Sequence, residues 1–530
     1  MMKSSGRRSQ RSSAIASTAA SDNVYEESES AATDLIASVK APSPAPLVIE
    51  KIIGKKTVEN QDDPSIVEDL FYIKWKKLSY LHASWEKRDE VEQLDPQAKT
   101  KFKRYLQPIE KDDMGDDDDR DEENSFDPEQ GNRDDEFFNP EFVEVHRIIS
   151  CDSAHVRHAR TCRTDSPSRR LKPSSSQSVE ELVADTSEDE VLYLVKWRGQ
   201  GYNDSTWEEW ADLKEFHHEV ERFWEIQVPP SRHEIGIKRP SISDYTKLSE
   251  SPKFGAEEFT GNELTLRNYQ LEGVNWLLWN WWHDRPCILA DEIGLGKTIQ
   301  ALSFLHQLRV MPTTRVRGPF LIVVPLALID QWQSEINMWS PQMNCVVLHG
   351  STEARELIVK HEFYYTEPYV SPAKAQNLKE SNVCKFHILL TTFEIAIKDV
   401  RVLSKIEWEV VVVDEAHRLK NPAAKSFEQL SSIPHKHCVF LTGAPLQSKT
   451  EDVWPLLHFA DKTRFNTQAE FLRELGDLND TDRPAQLQKL LELYLLRRTK
   501  EEVEGAMPPN EETIIEVGAL RTITLSPYIL

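Results

Sequence analysis

Hydrophobic and polar positions divide the chain into three regimes. Residues 1–45 are rich in Ser and Ala, end in the Pro-spaced stretch Ala41 to Pro46 and hold no sustained apolar period, so a disordered tail is expected there. From Leu47 onward short segments alternate apolar and polar residues with period two, as half-buried strands do. One such segment is used twice: Phe71, Ile73, Lys74, Trp75, Tyr80, Trp85 and Glu86 recur as Tyr193, Val195, Lys196, Trp197, Tyr202, Trp207 and Glu208, each 122 residues later. Val48 to Ile53 leads into the first copy, Val145 to Ile149 into the second, and an acidic helix-like run follows each. The pattern predicts two small curled sheets, each closed by a helix. After a Pro-punctuated bridge the third regime begins. It alternates apolar strands with amphipathic helices, the signature of a parallel sheet covered on both faces.

These shifts set the expected boundaries: a tail over 1–45, a small α+β module over 46–110, an acidic linker over 111–138 and a second module over 139–228. A Ser-rich insert interrupts the second module at about 155–190; a bridge over 229–260 and a long α/β unit over 261–515 follow.

Charge changes the picture once it is counted locally. The chain carries a net −24, which looks wrong for a nucleic-acid binder because phosphate contacts need Lys and Arg. Between Asp112 and Glu136, however, 14 acidic residues stand against 2 Arg, so one linker holds half of the excess and the total describes no single surface. The six cysteines, Cys151, Cys162, Cys287, Cys345, Cys384 and Cys438, are scattered without a CxxC pair, against a zinc ribbon or disulfide framework. The longest apolar runs, Phe320 to Ile329 and Trp408 to Val413, are too short to span a bilayer, and Met1 to Ala20 has no signal-peptide core. An intracellular, soluble chain with no membrane partner is expected. Arg7, Arg8 and Arg11 read either as a solvated basic tail or as a nuclear-import cluster.

Two runs carry chemistry. Cys287 to Thr298 reads strand, Gly-rich loop, then Lys297 and Thr298 opening a helical run to Leu308. Gly294 and Gly296 let backbone amides turn toward phosphate oxygens, the helix N-terminus adds positive potential, Lys297 reaches the β and γ phosphates, and Thr298 ligates magnesium. Val410 to Val413 is a buried strand that ends in Asp414, Glu415, Ala416 and His417. ATP hydrolysis needs one carboxylate for magnesium and one to orient and deprotonate water. Either run alone could arise by chance; 117 residues apart in one chain, they form a pair.

The 47–107 and 142–226 segments resemble chromodomains, and their tandem order resembles the chromodomain-helicase-DNA-binding family. The remaining motifs resemble the SWI/SNF-like branch of superfamily-two helicases. That resemblance implies a RecA-like P-loop lobe with ATP and magnesium as ligands, Asp291 where the general loop pattern has Gly, magnesium on Asp414 and the water on Glu415. It implies that His417 couples nucleotide to DNA. Leu266 to Gln270 resembles the adenine-reading segment, in which Gln270 can make two discriminating hydrogen bonds. Val323 to Leu326 and Leu389 to Thr392 resemble strand ends that touch the DNA backbone, through Pro325, Thr391 and Thr392. Leu441 to Gln447, with Thr442 and Gly443, resembles the segment linking hydrolysis to lobe movement, although Ala444 stands where Thr is usual and Ser448 where Asn is usual. Tyr494 to Val503, running on to Pro508 and Pro509, resembles the lobe-closing segment, and 516–530 the start of a truncated second lobe. Without that lobe the chain is expected to bind ATP weakly and turn it over slowly.

The expected function is ATP-dependent remodelling of nucleosomes in the nucleus, by movement along double-stranded DNA. A non-catalytic adaptor that reads histone tails and a repair translocase are the alternatives. For histone reading the candidate cage aromatics are Trp75 and Trp197, since a quaternary ammonium is held by aromatic faces. Leu47 and Leu78, and Val143 and Gln200, replace the aromatics usual beside them, so neither cage is complete; Trp85 and Trp207 read as core. The acidic linker reads equally as a solvated spacer and as a DNA mimic covering the motor.

Overall fold

The computed structural model describes residues 47–59, 67–112, 137–152, 191–235, 240–242, 245–252, 254, 264–443, 450–474 and 492–503. The tail, nearly all of the acidic linker, the Ser-rich insert, Ala444 to Ser448, Pro508, Pro509 and residues 516–530 lie outside the described residues.

The first module is a three-stranded antiparallel sheet, β1 (Ile49–Glu59), β2 (Val67–Trp75) and β3 (Ser84–Lys87), followed by α1 (Arg88–Leu94) and α2 (Ala98–Asp112). The second repeats it with β4 (Val145–Cys151), β5 (Leu192–Trp197), β6 (Thr206–Glu209) and α3 (His217–Gln227). Parity decides which side chains go inward. Phe71, Ile73 and Trp75 share one face of β2 and pack with Val91, Ala98 and Phe102 of the helices. Tyr193, Val195 and Trp197 do the same against Leu213, Val220 and Phe223.

This overturns the cage assignment. Trp75 is 3% exposed and Trp197 fully buried, and their indole N–H groups donate to Ser84 Oγ (3.0 Å) and Thr206 Oγ1 (2.9 Å). Neither offers a face to a ligand. Trp85, expected in the core, is half-buried instead, because β3 pairs it with Tyr72 on the face of the sheet that the helices leave uncovered. It stacks on Tyr72 with ring centroids 4.9 Å apart, meets Phe137 edge-on at 5.2 Å and carries the Lys56 ammonium 4.0 Å above its ring. Trp207, paired with Leu194, is likewise half-buried.

The segment entering the second module ties the two together. Phe138 and Phe142 lie 4.8 and 5.2 Å from the Tyr80 ring, and Phe142 packs where Gly199, at φ +65°, leaves no Cβ. His82 of the first module meets the buried Glu208 of the second at 2.6 Å.

The α/β unit is a seven-stranded parallel sheet. In chain order the strands are β7 (Cys287–Leu289), β8 (Phe320–Val324), β9 (Cys345–Leu348), β10 (Ile388–Thr392), β11 (Val410–Val413), β12 (Cys438–Leu441) and β13 (Leu495–Leu496). In space they run β13-β7-β12-β11-β8-β10-β9. Their side chains alternate between two apolar layers: Ile288, Leu321, Val411 and Phe440 face one, Leu289, Ile322, Val412 and Leu441 the other. Helices α4 (Asn268–Trp282), α5 (Lys297–Val310) and α6 (Ile329–Trp339) cover the second layer. The bridge belongs to this core: Phe254 is buried beside Trp339, and Leu248 N–H donates to Asn275 Oδ1 at 2.8 Å. Among the described residues no helix is long and apolar enough to cross a membrane.

The second module docks on the β9 edge. Ile149 and Tyr202 are buried in the core of the α/β unit, not in that of their own module. Arg147 donates to the Cys345 carbonyl at 2.7 Å and pairs with Glu362 at 2.8 Å, satisfying polar groups that an edge strand leaves open. Burial drops the His146 pKa to about 3, so its neutral Nε2 accepts from the Gln333 amide at 2.8 Å.

Two outcomes follow from these junctions. Arg147→Ala should cost about 3 kcal/mol in chemical denaturation, because Glu362 stays buried without its counter-charge, and adding Glu362→Gln should recover much of it. His82→Ala should lower the thermal midpoint most near pH 6. The Glu208 hydrogen bond raises the His82 pKa against desolvation, so its contribution is complete below the ordinary value of 6.5 and is lost as pH climbs through the elevated one. A deficit that stays constant from about pH 6 to 9 would remove charge from the account of this junction.

Candidate functional site

Because all seven strands run in one direction, the loops after β7, β12, β11, β8 and β10 emerge in that spatial order along one rim. The loop after β7 turns through Gly294 (φ +97°) and Gly296 (φ +79°), conformations that side chains disfavour. Leu295 between them is buried and anchors the loop. A Cβ on Gly296 would stand 2.6 Å from Gln270 Nε2. Lys297 then opens α5, followed by the half-buried Thr298.

Lys297 and Asp414 approach each other from the ends of β7 and β11, with the end of β12 between them. Lys297 Nζ donates to the Asp291 carbonyl at 2.8 Å, and a Cβ on Gly443 would lie 3.5 Å from the same ammonium. Burial depresses the Lys297 pKa, opposed by the carboxylates of Asp291, Asp414, Glu415 and Glu292. Asp414 is 7% exposed; burial raises its pKa, opposed by hydrogen bonds from Trp332 Nε1 (2.9 Å) and the Glu415 amide (2.8 Å), and by Lys297. Glu415 takes a left-handed backbone (φ 47°), a sharp turn costing about 1 kcal/mol for a residue with a side chain. Its carboxylate lies 3.1 Å from His417 Nδ1. Thr442 is fully buried, its amide bonded to the Leu289 carbonyl, so β12 ties the two motifs together.

Beside the loop lies a cleft of about 440 Å³ lined by Thr265, Arg267, Tyr269, Gln270, Gly296 and Trp339, among others. Gln270 is engaged from within: its Oε1 accepts from the Arg267 amide (3.0 Å) and its Nε2 donates to the Leu295 carbonyl (3.3 Å). It joins the start of α4 to the loop.

Three other candidates sit differently from expectation. Asp291 is fully buried, and its carboxylate accepts from Arg498 and from Gln300 Nε2 (3.1 Å), so it anchors protein groups where a nucleotide contact was expected. Thr391 and Thr392 are buried as well. Thr391 Oγ1 donates to the Leu348 carbonyl at 2.9 Å, and Thr392 Oγ1 caps the next helical turn by accepting from the Ile395 amide at 3.2 Å. In this conformation neither hydroxyl is available to a phosphate. Pro325 is half-buried at the rim beside the exposed Leu326.

Trp332 and Arg498 were not singled out as site residues. On sequence grounds an aromatic on an amphipathic helix is core; the lobe-closing segment contains Arg498 but says nothing about its partner.

The residues present suit magnesium and a triphosphate. Asp414 and Thr298 offer hard oxygen donors, and the glycine turn is a cradle that a Cβ would fill.

Comparison with known proteins places these features in context. The SNF2-related domain family matches residues 269–521, and the Chromo (CHRromatin Organisation MOdifier) domain matches 47–105 and 177–226. The chain is 37% identical over 473 residues to chromodomain-helicase-DNA-binding protein 6 of Homo sapiens, covering 89% of this chain and 15% of that protein. It is 38% identical over 482 residues to chromodomain-helicase-DNA-binding protein 7 of Homo sapiens, covering 91% and 14% respectively. It therefore spans about one-seventh of the length of these relatives. A solved Sulfolobus solfataricus SWI2/SNF2 ATPase core in complex with dsDNA is 25% identical, covers 48% of this chain and 47% of its own, and superposes with a TM-score of 0.37.

The geometry generates one expectation outside the motifs. Trp332→Phe keeps the ring and deletes the donor to Asp414; magnesium affinity, measured calorimetrically in the presence of nucleotide, should fall about tenfold. An unchanged affinity would make the indole N–H incidental.

Proposed function

We propose a function from one premise: the chain belongs to the chromodomain-helicase-DNA-binding family. On that premise it is part of an ATP-driven chromatin remodeller, a DNA-dependent ATPase of helicase superfamily two, acting on nucleosomal double-stranded DNA in the nucleus. The observation that carries this reading is the approach of Lys297 to Asp414 and Glu415 from the ends of β7 and β11, on either side of β12.

In this reading the amides of the Gly294 to Lys297 turn receive the phosphates, and Lys297 leaves the Asp291 carbonyl to reach the β and γ oxygens. Asp414 and Thr298 would hold magnesium, which would supply charge neutralisation on the phosphates. Glu415 orients the attacking water and accepts its proton. His417 beside Glu415 links this position to the rim, where Pro325 and its neighbours meet the DNA backbone. The nucleotide base enters the cleft next to Gln270 and Tyr269. Histone-tail contact, if the two modules make it, does not use Trp75 or Trp197, both of which are core.

Two substitutions separate this reading from a non-catalytic adaptor. Glu415→Gln should bind Mg·ATP like the unmodified chain while losing DNA-stimulated phosphate release by about 100-fold or more, the scale on which removing a positioned base acts. Lys297→Ala should lose binding itself. Phosphate release undiminished by Glu415→Gln would overturn the catalytic assignment.

A further inference from the structure

Asp291 places a carboxylate, with no exposed surface, inside a loop built to receive anionic phosphates. Two cations face it. Lys297 stands one loop turn away with its ammonium on the Asp291 carbonyl at 2.8 Å, and Arg498 arrives from 207 residues further along the chain. Arg498 holds the carboxylate itself: its backbone amide and its Nε both donate to Oδ1 at 3.1 Å, and its Nη2 reaches Oδ2.

That guanidinium is itself seated by its surroundings. Nη1 donates to the Tyr269 carbonyl, Nη2 to Gln300 Oε1 at 2.8 Å, and the group lies 5.5 Å above the Tyr269 ring. Space for it comes from Gly273, where a Cβ would stand 1.8 Å from Gln300 Oε1 and 2.8 Å from Arg498 Nη2. The segment bearing Arg498 is zipped along β7 and its loop: the amides of Ile288, Ala290 and Glu292 donate to the carbonyls of Tyr494, Leu496 and Arg498 at 2.7, 2.7 and 3.0 Å.

We propose that Arg498 is a positioning residue that keeps Lys297 available for phosphate, by occupying the Asp291 carboxylate that would otherwise capture the lysine. The inference rests on the nucleotide-site reading above. A buried carboxylate left with only the Gln300 amide and the backbone N–H of residue 498 lacks a counter-charge, which is costly, and Lys297 is a cation on a flexible stem whose ammonium already sits on the Asp291 carbonyl. Arg suits the permanent post, because its planar fork fills several acceptors at once and does not deprotonate; Lys297 keeps the mobile one. Nucleotide affinity thereby depends on the docking of Tyr494 to Lys500, a segment remote in sequence from the loop.

The test is Mg·ATP binding to the full chain by calorimetry, with circular dichroism to establish folding of each variant. Arg498→Ala should weaken binding about tenfold or more, Arg498→Lys by no more than about threefold, and Asp291→Asn with Arg498→Ala should return to within about threefold of the unmodified chain. A purely structural role for Arg498 would leave the double variant as weak as the single one, and that result overturns the proposal, as does an Arg498→Ala that binds normally. Should Arg498→Ala fail to fold, Asp291→Asn alone decides: binding within about threefold supports the proposal, and a loss beyond about tenfold, which would make Asp291 a direct ligand, overturns it. An unmodified chain that does not bind Mg·ATP overturns the nucleotide-site reading and this inference together.

Discussion

Parallel strand direction is the constraint on which the rest of this molecule depends. Seven strands running one way cannot be joined by tight hairpins, so each is followed by a crossover that returns over a face of the sheet. Both faces are thereby covered, every strand becomes apolar on both sides, and the loops that leave the carboxyl ends gather on one rim. Groups more than a hundred residues apart in the chain become neighbours without any of them needing to recognise another. Lys297, Thr442, Gly443 and Asp414 meet because β7, β12 and β11 are adjacent and in register.

The same sheet has two edges, and each is closed differently. At one, the short strand β13 continues into the segment that brings Arg498 onto Asp291, so this edge is also a wall of the glycine-rich loop after β7. At the other, the second chromodomain lays β4 and its Tyr202 turn against β9, contributing Ile149 and Tyr202 to a core that is not its own. Arg147 and Glu362 pair at that contact, where desolvation of two charges offsets much of their attraction. The first chromodomain is held to the second by Phe138, Phe142 and the His82 to Glu208 contact.

Electrostatics in the loop turn on keeping like and unlike charges apart in a medium that screens them poorly. Four carboxylates act on one lysine, which in the proposed function serves an anion that is not protein. Arg498 neutralises one of those carboxylates, Trp332 and the Glu415 amide bond to another, and His417 lies beside a third. The surplus of acid in the loop is matched by donors drawn from α6, from the turn after β11 and from the segment after β13.

Much of this was legible in the residues in order. The period-two repeat, the glycine turn before Lys297 and the four valines before Asp414 are local patterns, and local patterns follow from covalent spacing: which residues share a strand face, and which backbone positions need glycine. Spacing does not say which face a helix will cover, and that is why Trp75 and Trp197 lie in the core while Trp85 and Trp207 are only half-buried on the other face. Nor does it say which strands will be neighbours. The hold of Arg498 on Asp291, the bond from Trp332 to Asp414 and the burial of the Thr391 and Thr392 hydroxyls all depend on sheet order and on what lies across the gap. Those contacts come into being only when distant segments are packed together, because hydrogen bonds and ion pairs act over a few ångströms while the chain positions that form them are separated by tens to hundreds of residues.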